Sequence, residues 1–370
     1  MAKNLSIVAE GISGKEGKLL GYNISDNGIY TPAIGDVARD TTATYVAQDG
    51  TIKTAQENVA RVDYTNGVAE LLLEPASKNL ITYSEDFSQS YWTSSGVIVE
   101  GGYIAPDGSN NAYKVSGTIG VSYLKTLNGL FTGNTSKSIY VKSTSVDGVI
   151  GLLVPYSTEQ FEVKNEWQRI EGVSGQTDFY AVDFRGSETT LSEVLIWGAQ
   201  VEALPYPTSY IPNFGNSAGQ TRGADSLTNF GSSPIIDSES GILFFEGSAL
   251  SVSGTTRGVG LNNSDNSKRI YFIFDSSGRI KTYALDSGSQ SSVLTTNKDI
   301  LTNKKIVIKY NNSILELYLD GVLVGNDSWD GFSKDDLIRM SFNDGILSDP
   351  FYGRVRQLKH LPYNTDITTL

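Results

Sequence analysis

Ile314-Leu315-Glu316-Leu317-Tyr318-Leu319, followed by Asp320-Gly321 and then Val322-Leu323-Val324, sets the fold class. Leu315, Leu317 and Leu319 recur with a period of two, which is the signature of a half-buried strand. Asp-Gly tolerates the positive φ of a type I′ turn, so the two runs read as a hairpin. The same punctuation recurs along the chain, with Asn-Gly or Asp-Gly at Asn27, Asp49, Asn66, Asp107, Asn128, Asp147, Asp320, Asp330 and Asp344. Tyr271-Phe272-Ile273-Phe274 and Ile280-Lys281-Thr282-Tyr283, flanking Ser276-Ser277-Gly278, predict a second hairpin. Asn66-Gly67 predicts a third, between Val62–Tyr64 and Val68–Leu73; the unbroken Leu71-Leu72-Leu73 implies a strand covered on both faces. Helical periodicity is missing, and Asp36 to Ala60 offers at most a short turn. The expectation is an all-β chain of antiparallel sandwiches.

Composition bounds the function. With 370 residues, 39% of them hydrophobic and 10% aromatic, the chain is long enough for two cored domains. A net charge of −12 argues against binding a phosphate backbone, so no nucleic acid is expected as a partner. The absence of Cys removes disulfides, thiol catalysis and thiolate zinc sites. A single His, His360 in an apparent closing strand, leaves no imidazole cluster and reads as structural. The N-terminus reaches Glu10 before an apolar core of signal-peptide length forms, and no run approaches a membrane span, so no membrane insertion is expected. Gly11 to Lys18 lacks the phosphate-loop spacing, and Gly258-Val259-Gly260 lacks the third glycine of a dinucleotide site.

Asn213 to Pro234, rich in Gly, Asn, Ser and Thr, suits a connector between two β modules. The first thirty-odd residues carry Gly11, Gly14, Gly17 and Gly21 among charges and offer little core. The resulting division is an N-terminal arm over 1–38, a first domain over 39–225 and a second over 226–370.

Arg39, Thr42-Ala43-Thr44-Tyr45-Val46, Asp49-Gly50, Arg61-Val62-Asp63-Tyr64, Leu71-Leu72-Leu73-Glu74-Pro75, Lys78-Asn79-Leu80-Ile81, Tyr83-Ser84-Glu85-Asp86-Phe87 and Trp92 form an ordered block. A second block is Trp197-Gly198-Ala199-Gln200-Val201-Glu202, Thr208-Ser209-Tyr210-Ile211-Pro212 and Thr221-Arg222-Gly223-Ala224-Asp225. In order and spacing the two resemble segments that recur in bacteriophage fibre and tail-associated proteins. The resemblance implies a carbohydrate-binding-like jelly roll on a virion structural protein. Gly241 to Leu370 is similar to the concanavalin-like, laminin-G-type sandwich in Lys305–Tyr310, Leu317–Gly321, Gly353-Arg354-Val355 and Leu358. It departs from that type at Thr302-Asn303-Lys304, where a Trp-His pair is usual. The implied fold is two tandem antiparallel β-sandwiches, jelly roll then concanavalin-like, with an attachment arm.

Aromatics beside carboxylates are the candidate sugar platforms: Tyr91 and Trp92, and Trp329 with Asp327 and Asp330. Core packing is the competing reading for Trp92, whereas Trp329 in its turn-rich loop is the better candidate for exposure. Glu85 with Asp86, or Asp265 within Asn262, Asn263, Asp265 and Asn266, are candidate ligands for a structural Ca²⁺. No enzyme is expected, because no acid or nucleophile constellation stands out; Glu85, Asp86, Glu159 and Glu162 are not distinguishable among 41 acidic residues. The functional expectation is a homotrimeric virion protein, assembled in the host cytoplasm and held to other virion proteins through its arm. It would adsorb to host surface polysaccharide without catalysis. The rival is a glycan-depolymerising enzyme.

Overall fold

The computed structural model describes residues 3–9, 13–15, 18–25, 30–231, 236–252, 257–287, 289–297, 299–343 and 350–370. The turns expected at Asn27 and Asp344, and part of Gly11 to Lys18, lie outside them. The described residues form antiparallel sheets joined by turns, and no helix among them is long and apolar enough to cross a membrane. The chain is all-β.

Two compact units result, and they are not the consecutive blocks expected from sequence. One comprises Met1–Thr42, Ala55–Pro75 and Ala224–Leu370; the other comprises Ala43–Thr54 and Ala76–Gly223. The boundary expected at 225 lies beside the one between Gly223 and Ala224, whereas residues 1–42 and 55–75 join the C-terminal residues in one unit, so that the other unit is inserted into its sequence.

The inserted unit is a jelly roll. Its strands Ala112–Gly117, Tyr123–Thr126, Thr135–Ser143, Gly148–Leu153, Phe161–Val163, Gln168–Ser174, Tyr180–Asp183 and Glu193–Glu202 can be counted one to eight. The two sheets then run 1-8-3-6 and 2-7-4-5, with Val97–Tyr103 added beside strand 1 and Trp92–Ser95 beside strand 2. Val115, Ile139, Val141, Leu152, Val182, Val194 and Ile196 fill the space between them.

The first unit is a sandwich around the closing strand Gly353–Leu361. On one side this strand pairs with Gly241–Ala249, and that strand pairs onward with Lys304–Tyr310, Ile314–Leu319 and Val322–Ser328. Its other side is shared: Leu71, Leu72 and Leu73 pair with Val355, Arg354 and Gly353, while Leu5 to Val8 pair with His360 to Gln357. The N-terminal residues are thus sheet strands rather than a detached arm, and Ile7 and Val37 belong to the core. The connector expected over Asn213 to Pro234 also contains strands, with Gln220–Arg222 on Ser77–Asn79 and Ser226–Thr228 on Tyr30–Ala38. The opposing sheet runs Ser289–Asn297, Arg279–Asp286, Lys268–Phe274, Arg257–Asn262 and Arg339–Ser341. All three expected hairpins form, and Asp320 and Gly321 take φ of 50° and 81°, as a type I′ turn requires.

Several residues of the two ordered blocks are fold devices. Asp225 receives Arg39 Nη1 at 2.8 Å on one oxygen, and Arg61 Nη2 at 2.5 Å together with the Glu74 backbone N–H at 2.9 Å on the other. Arg61 Nη1 also meets Glu74 Oε2 at 2.8 Å, and all four side chains are buried. In the jelly roll, buried Glu202 accepts from Ser77 Oγ, Gln200 Nε2, Thr208 N and Thr208 Oγ1. Asn79 Nδ2 reaches the carbonyls of Ala199 and Ile211.

His360 is structural, as its strand setting suggested. Tyr310 donates its hydroxyl to Asp237 O, so the contact between Tyr310 Oη and His360 Nε2 (3.0 Å) takes its proton from the imidazole. Nδ1 is buried with no partner among the described residues, and desolvation pushes the ring down to about 4. Charging it would place a second N–H where nothing accepts it.

Two outcomes follow. Asp225→Asn removes the countercharge of two buried guanidinium groups and should lower stability by about 3–5 kcal/mol, measured by urea unfolding. A histidine with a depressed pKa contributes stability above its unfolded value of 6.5 that is lost as pH falls toward 4. Acid titration through that window should cost about 3 kcal/mol, and His360→Phe should flatten the dependence.

Candidate functional site

A candidate site lies beyond the edge hairpin of the first unit. Ile314–Leu319 and Val322–Ser328 pair up to Ile314 opposite Ser328, and Trp329 N then bonds Ser313 O at 3.2 Å. The indole is fixed twice: Nε1 donates to Asn311 O at 2.8 Å, and the ring meets buried Phe332 edge-on at 4.4 Å. Gly331 follows at φ +79°, and a Cβ there would stand 2.4 Å from Asn312 Cα, so only glycine closes this turn without displacing Asn312.

Trp329 is half-buried, and it lines an open groove of about 810 Å³ with Asp286, Gln290, Asn312, Ser313 and Asp330. The groove therefore combines one immobilised aromatic with amides, hydroxyls and two carboxylates drawn from three separate segments. Of the residues nominated from sequence, Trp329 and Asp330 are brought together here. Asp327 stands in the strand before it, opposite Leu315. Asp286, Gln290 and Asn312 carry no signal in sequence, because their segments belong to opposing sheets and meet only when the sandwich closes.

Trp92 is a core residue. It is buried against Phe87 and Phe179, and its Nε1 donates to the carbonyls of Tyr83 and Asp86. Tyr91 is half-buried, edge-on to Trp92 at 5.4 Å and to Tyr83 at 6.0 Å.

The carboxylates proposed as metal ligands have other partners. Glu85 accepts from Tyr210 Oη at 2.8 Å and Asn111 Nδ2 at 2.6 Å. Asp86 accepts from Ser88, Gln89 and Tyr113, and Asp265 from Ser267 N and Oγ in an Asx turn. In the oxygen-rich loop the cation is a guanidinium: Arg339 donates to Asn262 Oδ1 at 3.0 Å, Asn266 Oδ1 at 3.2 Å and Ser264 O at 3.3 Å. Among the described residues no three His, Cys, Asp or Glu side chains come together as a metal site.

Comparison with known proteins places the chain among partial likenesses. No family model matches, and no curated protein matches. Among solved structures, the CBM40 of Ruminococcus gnavus IT-sialidase bound to α2,3-sialyllactose is 11% identical over 39% of this chain and 91% of its own, with a TM-score of 0.31. A Bacillus licheniformis β-glucanase is 11% identical over 40% of this chain and 80% of its own, at 0.30. The SAP-like pentraxin of Limulus polyphemus is 8% identical over 35% and 64%, at 0.27. Likeness of this size does not identify function.

Glu85 carries a testable consequence. Desolvation, reinforced by Asp107 and opposed by the bonds from Tyr210 and Asn111, pushes its carboxyl up to about 7. A raised carboxyl pKa gives stability that is full below its reference value of 4.5 and lost as pH rises through 7. Amide exchange, corrected for intrinsic rates, should therefore show the segments around Ser84 and Tyr210 opening more easily at pH 8 than at pH 5. The difference should approach about 3 kcal/mol. Glu85→Gln should remove this pH dependence.

Proposed function

We propose that the chain is a non-catalytic glycan-binding component of a bacteriophage virion, and that the groove beside Trp329 receives a saccharide from the host surface. The observation that carries the reading is the groove itself. An indole fixed by Asn311 and Phe332 offers a flat apolar face at little ordering cost, and the polar side chains around it match a ring of hydroxyls. The virion setting rests on the resemblance of the Arg39–Asp225 blocks to fibre and tail-associated proteins. In that setting the protein acts as a homotrimer attached to other virion proteins.

A second reading has one observation in its favour. Asp286 and Asp330 both line the groove, and paired carboxyl groups across a bound sugar are the machinery of glycoside hydrolysis. Release of reducing ends from host polysaccharide, abolished by Asp286→Asn or Asp330→Asn, would establish hydrolysis and overturn the binding-only reading.

Trp329→Ala should weaken glycan or host-cell binding by about 1–3 kcal/mol. Because the ring also packs on Phe332, the same change should lower the melting temperature. Trp329→Phe and the exposed Asp330→Asn separate the effects: each should keep the fold while reducing affinity, as read by calorimetric titration and thermal unfolding. Unchanged affinity in both would exclude the groove as the binding site.

A further inference from the structure

We infer that the loop from Asn213 to Gly219 in the jelly-roll unit is a second recognition site, at which Phe214 stacks on the apolar face of a saccharide ring. Phe214 is 76% exposed, more than any other large apolar side chain among the described residues. A phenyl ring held in water offers one flat apolar face to a ligand, and it is the way the loop holds this ring that singles it out.

The loop is not a slack connector. Ser84 N donates to Asn213 O at 3.0 Å and Gly215 N to Thr82 O at 2.8 Å, which makes Tyr83 and Phe214 an antiparallel bridge. Asn213 is anchored again by Ser84 Oγ, which accepts its N–H at 2.8 Å and contacts Tyr210 Oη at 2.8 Å in the interior. Asn213 and Asn216 then bond across the turn in both directions, and Asn216 takes Ala218 N and donates to Gly219 O. Gly215 has φ +116°, and a Cβ there would come within 3.3 Å of the Tyr83 ring. The ring of Phe214 is thus presented from a preorganised turn, so little ordering remains to be done on binding.

The surroundings select the ligand. Gly215, Asn216, Ser217 and Ala218 are all exposed and carry no other large apolar group. A stable protein interface buries about 800 Å² per partner around an apolar centre, and one ring in a polar setting does not supply that. A sugar does fit, because its C–H face matches one aromatic ring while its hydroxyls stay in water. This site belongs to the unit that lacks the Trp329 groove and does not depend on it.

The test uses the whole chain on immobilised neutral oligosaccharides (α- and β-linked glucans, mannans and galactans), with variants Phe214→Ala, Phe214→Trp and Asp330→Ala. The ring is exposed, so Phe214→Ala should leave thermal unfolding unchanged. At least one glycan should lose about five-fold or more in affinity on Phe214→Ala, keep or gain it on Phe214→Trp, and be indifferent to Asp330→Ala. Glycans sensitive to Asp330→Ala alone would overturn this inference and leave the groove reading standing. Binding to none of the oligosaccharides would overturn both. A sedimentation mass that falls on Phe214→Ala would make the ring a self-association contact and overturn the saccharide assignment.

Discussion

The carboxylate of Asp225 is the interaction on which the architecture depends. It holds two guanidinium groups and one backbone N–H in a site closed to water, and its donors come from two stretches of chain other than its own, Arg39 from one and Arg61 and Glu74 from the other. Arg39 lies just before Thr42, Glu74 just before Pro75 and Asp225 just after Ala224, so the cluster gathers residues next to three of the four places where the chain passes between units. A buried ion cluster is a weak source of net stability, because desolvation offsets most of the attraction. Its geometry nevertheless demands all its partners at once. Here that demand holds the three segments of the first unit in one arrangement.

The same sorting of charge runs through the whole molecule. Asp225, Glu74, Glu202 and Glu85 are interior carboxyl groups whose oxygens are engaged within the fold. Arg339 likewise spends its guanidinium on the Asn262–Asn266 loop. In the proposed reading, recognition is left to turns: Trp329 and Asp330 in one unit, Phe214 in the other. Each turn is stiffened by a glycine at positive φ and by hydrogen bonds to neighbouring backbone. Rigid turns on a sandwich bear function at small cost to the core.

Legibility in the sequence followed the range of the interaction. Asp320-Gly321 announced its hairpin because the turn geometry is a property of two adjacent residues. Leu71-Leu72-Leu73 announced a doubly covered strand for the same local reason, and all three are buried. The pairing of Leu5 with His360 has no local signature, so the N-terminal strands read as an arm. Trp329 is visible as an aromatic in a polar turn, but the groove is not, since Asp286 comes from one sheet and Asn312 and Asp330 from the other. Oxygen-rich composition does not reveal which donor reaches Glu85 or Asp265, and in the fold these are Tyr210, Asn111 and Ser267. Phe214 was hidden by its Gly- and Asn-rich neighbours, whose side chains build the turn rather than loosen it.

The shared flank of the strand Gly353–Leu361 also imposes an order of events during synthesis. The segments Leu5–Val8 and Leu71–Leu73 both pair with it, so they emerge from the ribosome long before their partner exists. The jelly roll is closed by Glu193–Glu202 and needs nothing later than Gly223 for its own sheets. It is therefore complete while the sandwich that encloses it in sequence still waits with unpaired edges. Such edges invite pairing with other nascent chains, and contacts of this separation close slowly. The inserted unit is the early folder, and the outer unit is the one exposed to misassembly until its last strand arrives.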